Sequence, residues 1–352
     1  LKPFWSDSER RRPACHRLPL IALYGASATT AMAARSSTGG PPLGTGSLQS
    51  VRAEVCFDIG AYMLPGFKAG FPEQVNQDSF LVVPLTEHQL LVAVFDGHGQ
   101  NGLEAAQRVR ELFARSARFL AATCSLPAAL GQVFGTAQSI FDLDESYRTS
   151  GTTATAAVIN AATQSVTCAH VGDSSLAVAD SGLEHLFETE DHDFNSSDAV
   201  RCAAFGGEIR EIQTVMKKVR RLYAKGKDYP ALALSRSLGD LDAHAFGVLS
   251  EPTVLDAVPF EAGDWLIAAT DGVWNTLSKE LAVKIAASAG RAEAAARAVV
   301  LEAQKRWPKG DYVDDITAVV VRALPRDAGA AAVPATTLGS SSQETPARLP
   351  TA

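Results

Sequence analysis

Sulfur is scarce in this chain. Five cysteines (Cys15, Cys56, Cys124, Cys168 and Cys202) stand among 352 residues, an odd number, far apart and with no Cys-x-x-Cys pair. That spacing argues against a disulfide framework and against a thiolate zinc centre, and it points to a reducing compartment. Positive charge is not in excess either. With 32 basic and 39 acidic residues the formal charge is −7, so no global field draws the chain to nucleic acid or to an anionic membrane. No P-loop and no histidine-rich metal motif occurs, which leaves a two-metal hydrolase of nucleotides or phospholipids without a positive feature. Aromatic residues make up only 7%, yet 46% of the chain is hydrophobic and 20% charged. That balance excludes a disordered chain, a collagen and a coiled coil.

Composition divides the chain. Residues 28–50 and 326–352 are rich in Gly, Pro, Ser, Thr and Ala and read as flexible tails. The division expected is an extension over 1–50, one domain over 51–325 and a tail over 326–352. The first residues, ERRR and then LPLIALYGASA, loosely imitate a targeting signal. That apolar stretch is short and broken by Pro19 and Gly25, so it is not a transmembrane helix.

Between the tails, elements alternate in blocks. Leu90–Phe95 is a continuous apolar run that ends in a turn, as a buried strand would. Helical spacing of Leu103, Ala106, Val109, Phe113, Ala117 and Leu120 follows, with Asn101 placed to cap it. Thr152–Ile159, Ser165–Val171, Leu176–Ala179, Thr253–Phe260, Trp265–Thr270 and Ile316–Arg322 read as strands, and Ser278–Ala289 and Arg291–Arg306 as helices. Strands grouped with strands predict an α+β layered domain rather than a doubly wound sheet.

Aspartate recurs where these strands end: VFDGHG (94–99), HVGDSS (170–175), AATDGVW (268–274) and VDDIT (313–317), with NQDSF (76–80) placing its Asp before a strand. Any one of these is ordinary turn chemistry. Together they deliver several carboxylates to one sheet edge, a cluster that calls for a hard cation. Oxygen donors without Cys partners favour Mg²⁺ or Mn²⁺ over zinc.

The strings FDGHG, SGTTA (150–154), HVGDS, LALSRSLGD (232–240), DGVW and DDITAVVV (314–321) resemble, in this order, metal-dependent serine/threonine protein phosphatases of the 2C type. NQD in place of MED resembles a plant and protist branch. The resemblance spans about residues 51–322. It implies a β-sandwich of two antiparallel sheets flanked by helices, and hydrolysis of phosphoserine and phosphothreonine in proteins by a hydroxide bridging two Mg²⁺ or Mn²⁺ ions. It further implies that Asp96 bridges both ions, that the Gly97 carbonyl completes one sphere, that Asp271 and Asp314 bind one ion, and that Asp78 supports the other through water. Beside them His98 becomes a general acid for the leaving alkoxide, with a pKa suited to that task. Asp173 matches a weak third-ion site, though Asn275 stands where many members have an acid. Many relatives also place a phosphate-binding Arg where this chain has Glu73, which leaves Lys68 as a stand-in or as a plain loop lysine. Arg236 and Asp240 are structural by the same resemblance.

The basic stretch Lys217–Lys227 (KKVRRLYAKGK) reads either as a solvated face or as a docking surface for acidic phosphopeptides. The expected partners are phosphoproteins met by a monomer in cytoplasm or nucleus, with no membrane span. Loss of the two motif positions, Glu73 and Asn275, keeps a rival open: a pseudophosphatase that binds phosphoproteins without turnover.

Overall fold

The run LLVAVF is continuous in hydrophobicity because both faces of its strand are covered. In the computed structural model, which describes residues 57–69, 75–184, 186–214, 216–310 and 312–325, this strand spans Gln89–His98. Its alternate residues Leu90, Val92 and Val94 face a second sheet, and Leu91, Ala93 and Phe95 face helices. The same parity governs Ile316–Ala323: Val319 and Val321 point between the sheets, Ala318 and Val320 to helices.

Two antiparallel sheets result. One has the order Phe57–Leu64, Ile316–Ala323, Trp265–Ala269, Ser175–Ala179, Leu186–Glu188. The other centres on Gln89–His98, which pairs with Asp78–Pro84 and with Ala154–Asn160, followed by Ser165–Val171 and Thr253–Pro259. Helices Gly102–Arg115, Ala117–Ala122 and Leu126–Phe141 cover the outer face of the second sheet, through Phe113, Leu130 and Phe134. Helices Lys279–Ala289 and Ala292–Arg306 cover the first, chiefly with Ala and Val, whose small side chains suit a close helix-on-sheet contact. Four layers stack as helix, sheet, sheet, helix, and the expected sandwich is what forms.

Local departures from the sequence reading have physical causes. The helical pattern through Leu120 breaks at Ser116, whose hydroxyl donates to the Leu112 carbonyl at 2.8 Å and competes with the backbone ladder. Asn101 precedes the helix but makes no cap bond; its amide donates to Ser146 O at 2.8 Å instead. The Gln89–His98 strand does not stop at Asp96 but continues through Gly97 and His98, where it pairs with the short strand Gly151–Thr152. The basic stretch is a strand, Lys218–Ala224, in a three-stranded sheet with Gly207–Gln213 and Pro230–Leu232. That sheet and helix Ser196–Ala204 share a small core of their own around Phe194, Cys202, Leu222 and Leu234. Expectations about residues 1–50, 326–352 and Glu73 lie outside the described residues.

Candidate metal centre and active site

Strand parity explains how the carboxylates meet. Asp96 follows Leu90, Val92 and Val94 on the face between the sheets, and Asp78 precedes Phe80 and Val82 on the corresponding face of its own strand. The antiparallel register sets Asp78 directly opposite Asp96. Asp78 is 4% exposed and accepts from the Thr270 hydroxyl at 2.9 Å through Oδ2, while its Oδ1 is buried with no partner. Thr270 ends the strand Trp265–Ala269, so the next residue, Asp271, opens a short helical turn at the same end of the sandwich. Asp271 Oδ2 accepts from the Asn275 amide at 2.8 Å, and its Oδ1 is likewise buried and unpartnered.

Asp314 and Asp315 divide their work. Asp315 accepts the backbone N–H of Gly66 at 2.6 Å and of Gln77 at 2.8 Å, one on each oxygen, and so ties three chain segments together. Asp314 has no such backbone partners from distant segments; it accepts the Asp315 N–H at 3.0 Å and bonds the Tyr312 hydroxyl. Gly97 must be glycine: a Cβ there would lie 2.2 Å from the Gly102 carbonyl oxygen.

The electrostatics are those of a site waiting for positive charge. Burial and then the charge of Asp315 hold Asp78 well above the usual carboxylate range. Burial first, then Asp78, Asp271, Asp314 and Asp173, does the same to Asp96. Asp314 is pushed up to about 8 by burial and by Asp271. Asp173, half-buried in the HVGDS turn, is raised by burial and by Asp271, Asp191 and Asp193. Such shifts mean that the carboxylates repel one another and are underhydrated.

His98 completes the group. Its Nε2–H donates to Asp240 Oδ2 at 2.7 Å, and Asp240 is 3% exposed. Burial is the largest single effect and works against the imidazolium, but the charge and hydrogen bond of Asp240, joined by the charge of Asp271, together raise the His98 pKa above its ordinary value. Asp240, structural by the sequence resemblance, ties its turn through the backbone N–H it donates to Ser150 O at 2.9 Å, and its side chain is in addition the partner of His98. Arg236, by contrast, ties a loop through a 2.6 Å bond to the Glu251 carbonyl.

These groups meet in one cavity of about 1260 Å³. Asp96, Gly97, His98, Asp173, Asp271 and Asp314 line it, and so does Lys68 from the short strand pairing with Tyr312–Val313. Asp78 does not; it sits behind Asp96. Of the basic stretch only Arg221 reaches the cavity.

The donor set fits Mg²⁺ or Mn²⁺. It is all oxygen, and two of its carboxylates keep a buried oxygen with nothing to bond. Among the described residues no three potential ligands are already drawn around one point. A hydrated Mg²⁺ or Mn²⁺, which keeps several waters and few protein bonds, needs no tighter cage.

Comparison with known proteins follows the same line. The family model described as "Protein phosphatase 2C" matches residues 73–309. A probable protein phosphatase 2C 33 of Oryza sativa subsp. japonica is 34% identical over 250 residues, 67% of this chain and 54% of that protein. A probable protein phosphatase 2C 12 of Arabidopsis thaliana is 34% identical over 256 residues, 68% of this chain and 56% of that protein. The chain thus spans about half the length of the curated relatives it matches. Among solved structures, a serine-threonine phosphatase 2C from Toxoplasma gondii superimposes with a TM-score of 0.62 at 23% identity, covering 76% of this chain and 95% of that one. The catalytic domain of serine threonine protein phosphatase PstP, in complex with two manganese ions, gives a TM-score of 0.53 at 20% identity, covering 77% and 100%. At these identities the structures speak for the fold.

A sandwich of antiparallel sheets with an acidic centre at one end defines the class. The chain belongs to the protein phosphatase 2C family. The plant relatives agree with the NQD variant of its first motif.

Proposed function

We propose that this chain is a metal-dependent phosphatase that hydrolyses phosphoserine and phosphothreonine in proteins, with two Mg²⁺ or Mn²⁺ ions in its acidic centre. The observation that carries the reading is the convergence of Asp96, Asp271 and Asp314 on one cavity, with a protonatable His98 beside them. Asp96, Asp271, Asp314 and the Gly97 carbonyl would hold the ions, Asp96 as the ligand common to both, and Asp78 would support them through water. When bound, the ions supply Lewis-acid activation of water and neutralise phosphoryl oxygens. With its Nε2–H donating to Asp240, the charged His98 holds its other proton, on Nδ1, for the departing serine or threonine oxygen, and Asp240 keeps that imidazole charged and oriented. Lys68 gives the phosphate a cation at the cavity edge. Asp173 with Asp271 forms a weaker third site, since the Asn275 amide already donates to one oxygen of Asp271.

The substrates are phosphoproteins and the working unit a monomer. No helix among the described residues is long and apolar enough to cross a membrane. The described cysteines Cys124, Cys168 and Cys202 are free thiols, which suits cytoplasm or nucleus.

Purified protein is expected to hydrolyse p-nitrophenyl phosphate only with added Mn²⁺ or Mg²⁺, and Asp96→Asn to abolish that activity. Full turnover in excess EDTA would overturn the reading.

A further inference from the structure

The basic stretch is not one surface. Lys218 pairs with Glu211 at 2.8 Å, and Arg220 donates to the Phe194 carbonyl at 3.0 Å. Arg221 alone of that strand turns its half-buried side chain into the cavity. There, with Lys68, it is one of two Lys or Arg side chains in a lining that carries six aspartates.

Three features set Arg221 apart. It stands directly opposite Arg210 in the antiparallel register, a pairing of like charges that costs stability. Arg210 is neutralised by Glu208 and Asp228 and lies over the Tyr223 ring, 4.4 Å from its centroid. Arg221 has no carboxylate partner among the described residues. It is held instead by a neutral group, donating from Nη1 to the Ala231 carbonyl at 2.6 Å. Ala231 itself adopts a left-handed φ of 61°, a conformation that costs a non-glycine residue free energy. The protein therefore fixes a guanidinium at the cavity wall and leaves its remaining N–H donors and its charge uncompensated.

We infer that Arg221 is a specificity residue that receives a carboxylate of the substrate protein, an Asp or Glu near the phosphorylated residue. The inference rests on the phosphatase reading above. A carboxylate suits the site better than the scissile phosphate does. The aspartates that would hold the ions make no ion pair with Arg221, so the guanidinium stands apart from them and meets a second anion of the same peptide. The planar fork of arginine matches a carboxylate in two parallel bonds.

The test uses phosphoserine peptides in which a single Glu, or a Lys, is walked through the positions flanking the phosphoserine. The quantity read is the ratio of kcat/KM for the Glu peptide to that for its Ala counterpart. Wild type is expected to favour Glu at one or two positions by about tenfold, as one charge-assisted pair contributes. Arg221→Gln should bring that ratio near one, Arg221→Lys should keep part of it, and Arg221→Glu should invert it towards Lys. A merely structural arginine would not produce the inversion. A ratio unchanged in Arg221→Gln, or no preference in wild type, overturns the proposal. Binding of the same peptides by fluorescence anisotropy is measured in parallel. Absence of p-nitrophenyl phosphate turnover with Mn²⁺ would sink the phosphatase reading alone, while binding still reports on Arg221.

Discussion

Asp240 Oδ2 lies 2.7 Å from His98 Nε2, although 142 residues separate them in the chain. Asp240 is held in place by its own backbone, which adopts a left-handed φ of 45° and donates its N–H to the Ser150 carbonyl at 2.9 Å. The pair therefore joins the end of the Gln89–His98 strand to the SRSLGD turn, and the role of Asp240 is to position and charge the imidazole.

Asp240→Asn tests that role. Asparagine tolerates the left-handed backbone, so the fold is expected to survive. Turnover of a phosphoserine peptide, whose alkoxide must be protonated, should fall about 10- to 100-fold. Turnover of p-nitrophenyl phosphate, with a leaving group stable as an anion, should fall much less. Equal losses on both substrates would deny His98 and Asp240 the acid role.

Mutual repulsion in the acidic centre predicts a metal-linked stability. In the ion-free protein Asp314→Asn should raise the thermal midpoint, because it removes a buried carboxyl that, beside Asp271, must take up a proton at a cost in stability. Adding millimolar Mn²⁺ should raise the wild-type midpoint by several degrees and the variant's by less. A thermal-shift titration reads both effects. A destabilised ion-free variant would contradict this electrostatic account.

His170 and His192 stack at 4.3 Å, and both are held neutral. Burial, then nearby positive charge, lowers His170 to about 4 and His192 to about 3. The Gly172 N–H donates to His192 Nδ1 at 3.1 Å, so His192 Nε2 carries the proton and donates to Thr253 Oγ1 at 2.8 Å. Both nitrogens of His170 are buried without partners. Since the folded values lie below the ordinary 6.5, the unfolded chain takes up protons first as pH falls. The contribution of the pair is complete above pH 6.5 and is lost as pH falls through that value, towards 4 for His170 and towards 3 for His192. For His170 it amounts to roughly 3 kcal/mol. The raised carboxylates act in the opposite sense, so the comparison to make is with His170→Phe, which keeps the stacked ring. Urea unfolding from pH 7 to 4.5 should show a shallower acid loss in that variant; parallel curves would refute the assignment.

Gly272→Ala should be among the most damaging conservative changes. A Cβ at this position would lie 1.9 Å from the Asp315 carbonyl oxygen, beside the residue that ties Gly66 and Gln77 to the site. A loss of about 3 kcal/mol or more is expected, with Mn²⁺ stabilisation lost as well. Chemical denaturation with and without Mn²⁺ measures both; a variant as stable as wild type would show that the turn has room to move.

The strands were legible because β-branched and apolar residues run in short blocks bounded by Gly and Asp, and because a strand covered on both faces reads as an unbroken apolar run. The motif aspartates were legible for a related reason: each sits at a strand end, where burial gives way to the cavity. Sequence could not show that Asp315 spends its carboxylate on two backbone N–H groups, since those belong to Gly66 and Gln77, about 240 positions away. Nor could it separate Arg221 from its basic neighbours, because that depends on which face of a hairpin meets the cavity.

By itself, then, the order of residues determined the layers, the parity of each strand and the donor chemistry of the centre, all of which follow from local period and residue type. Tertiary structure alone decided which carboxylates remain unsatisfied, which histidine gains a carboxylate partner and which arginine of the basic stretch faces the cavity. Those outcomes are set by contacts between segments remote in the chain, and distance along the chain carries no record of them.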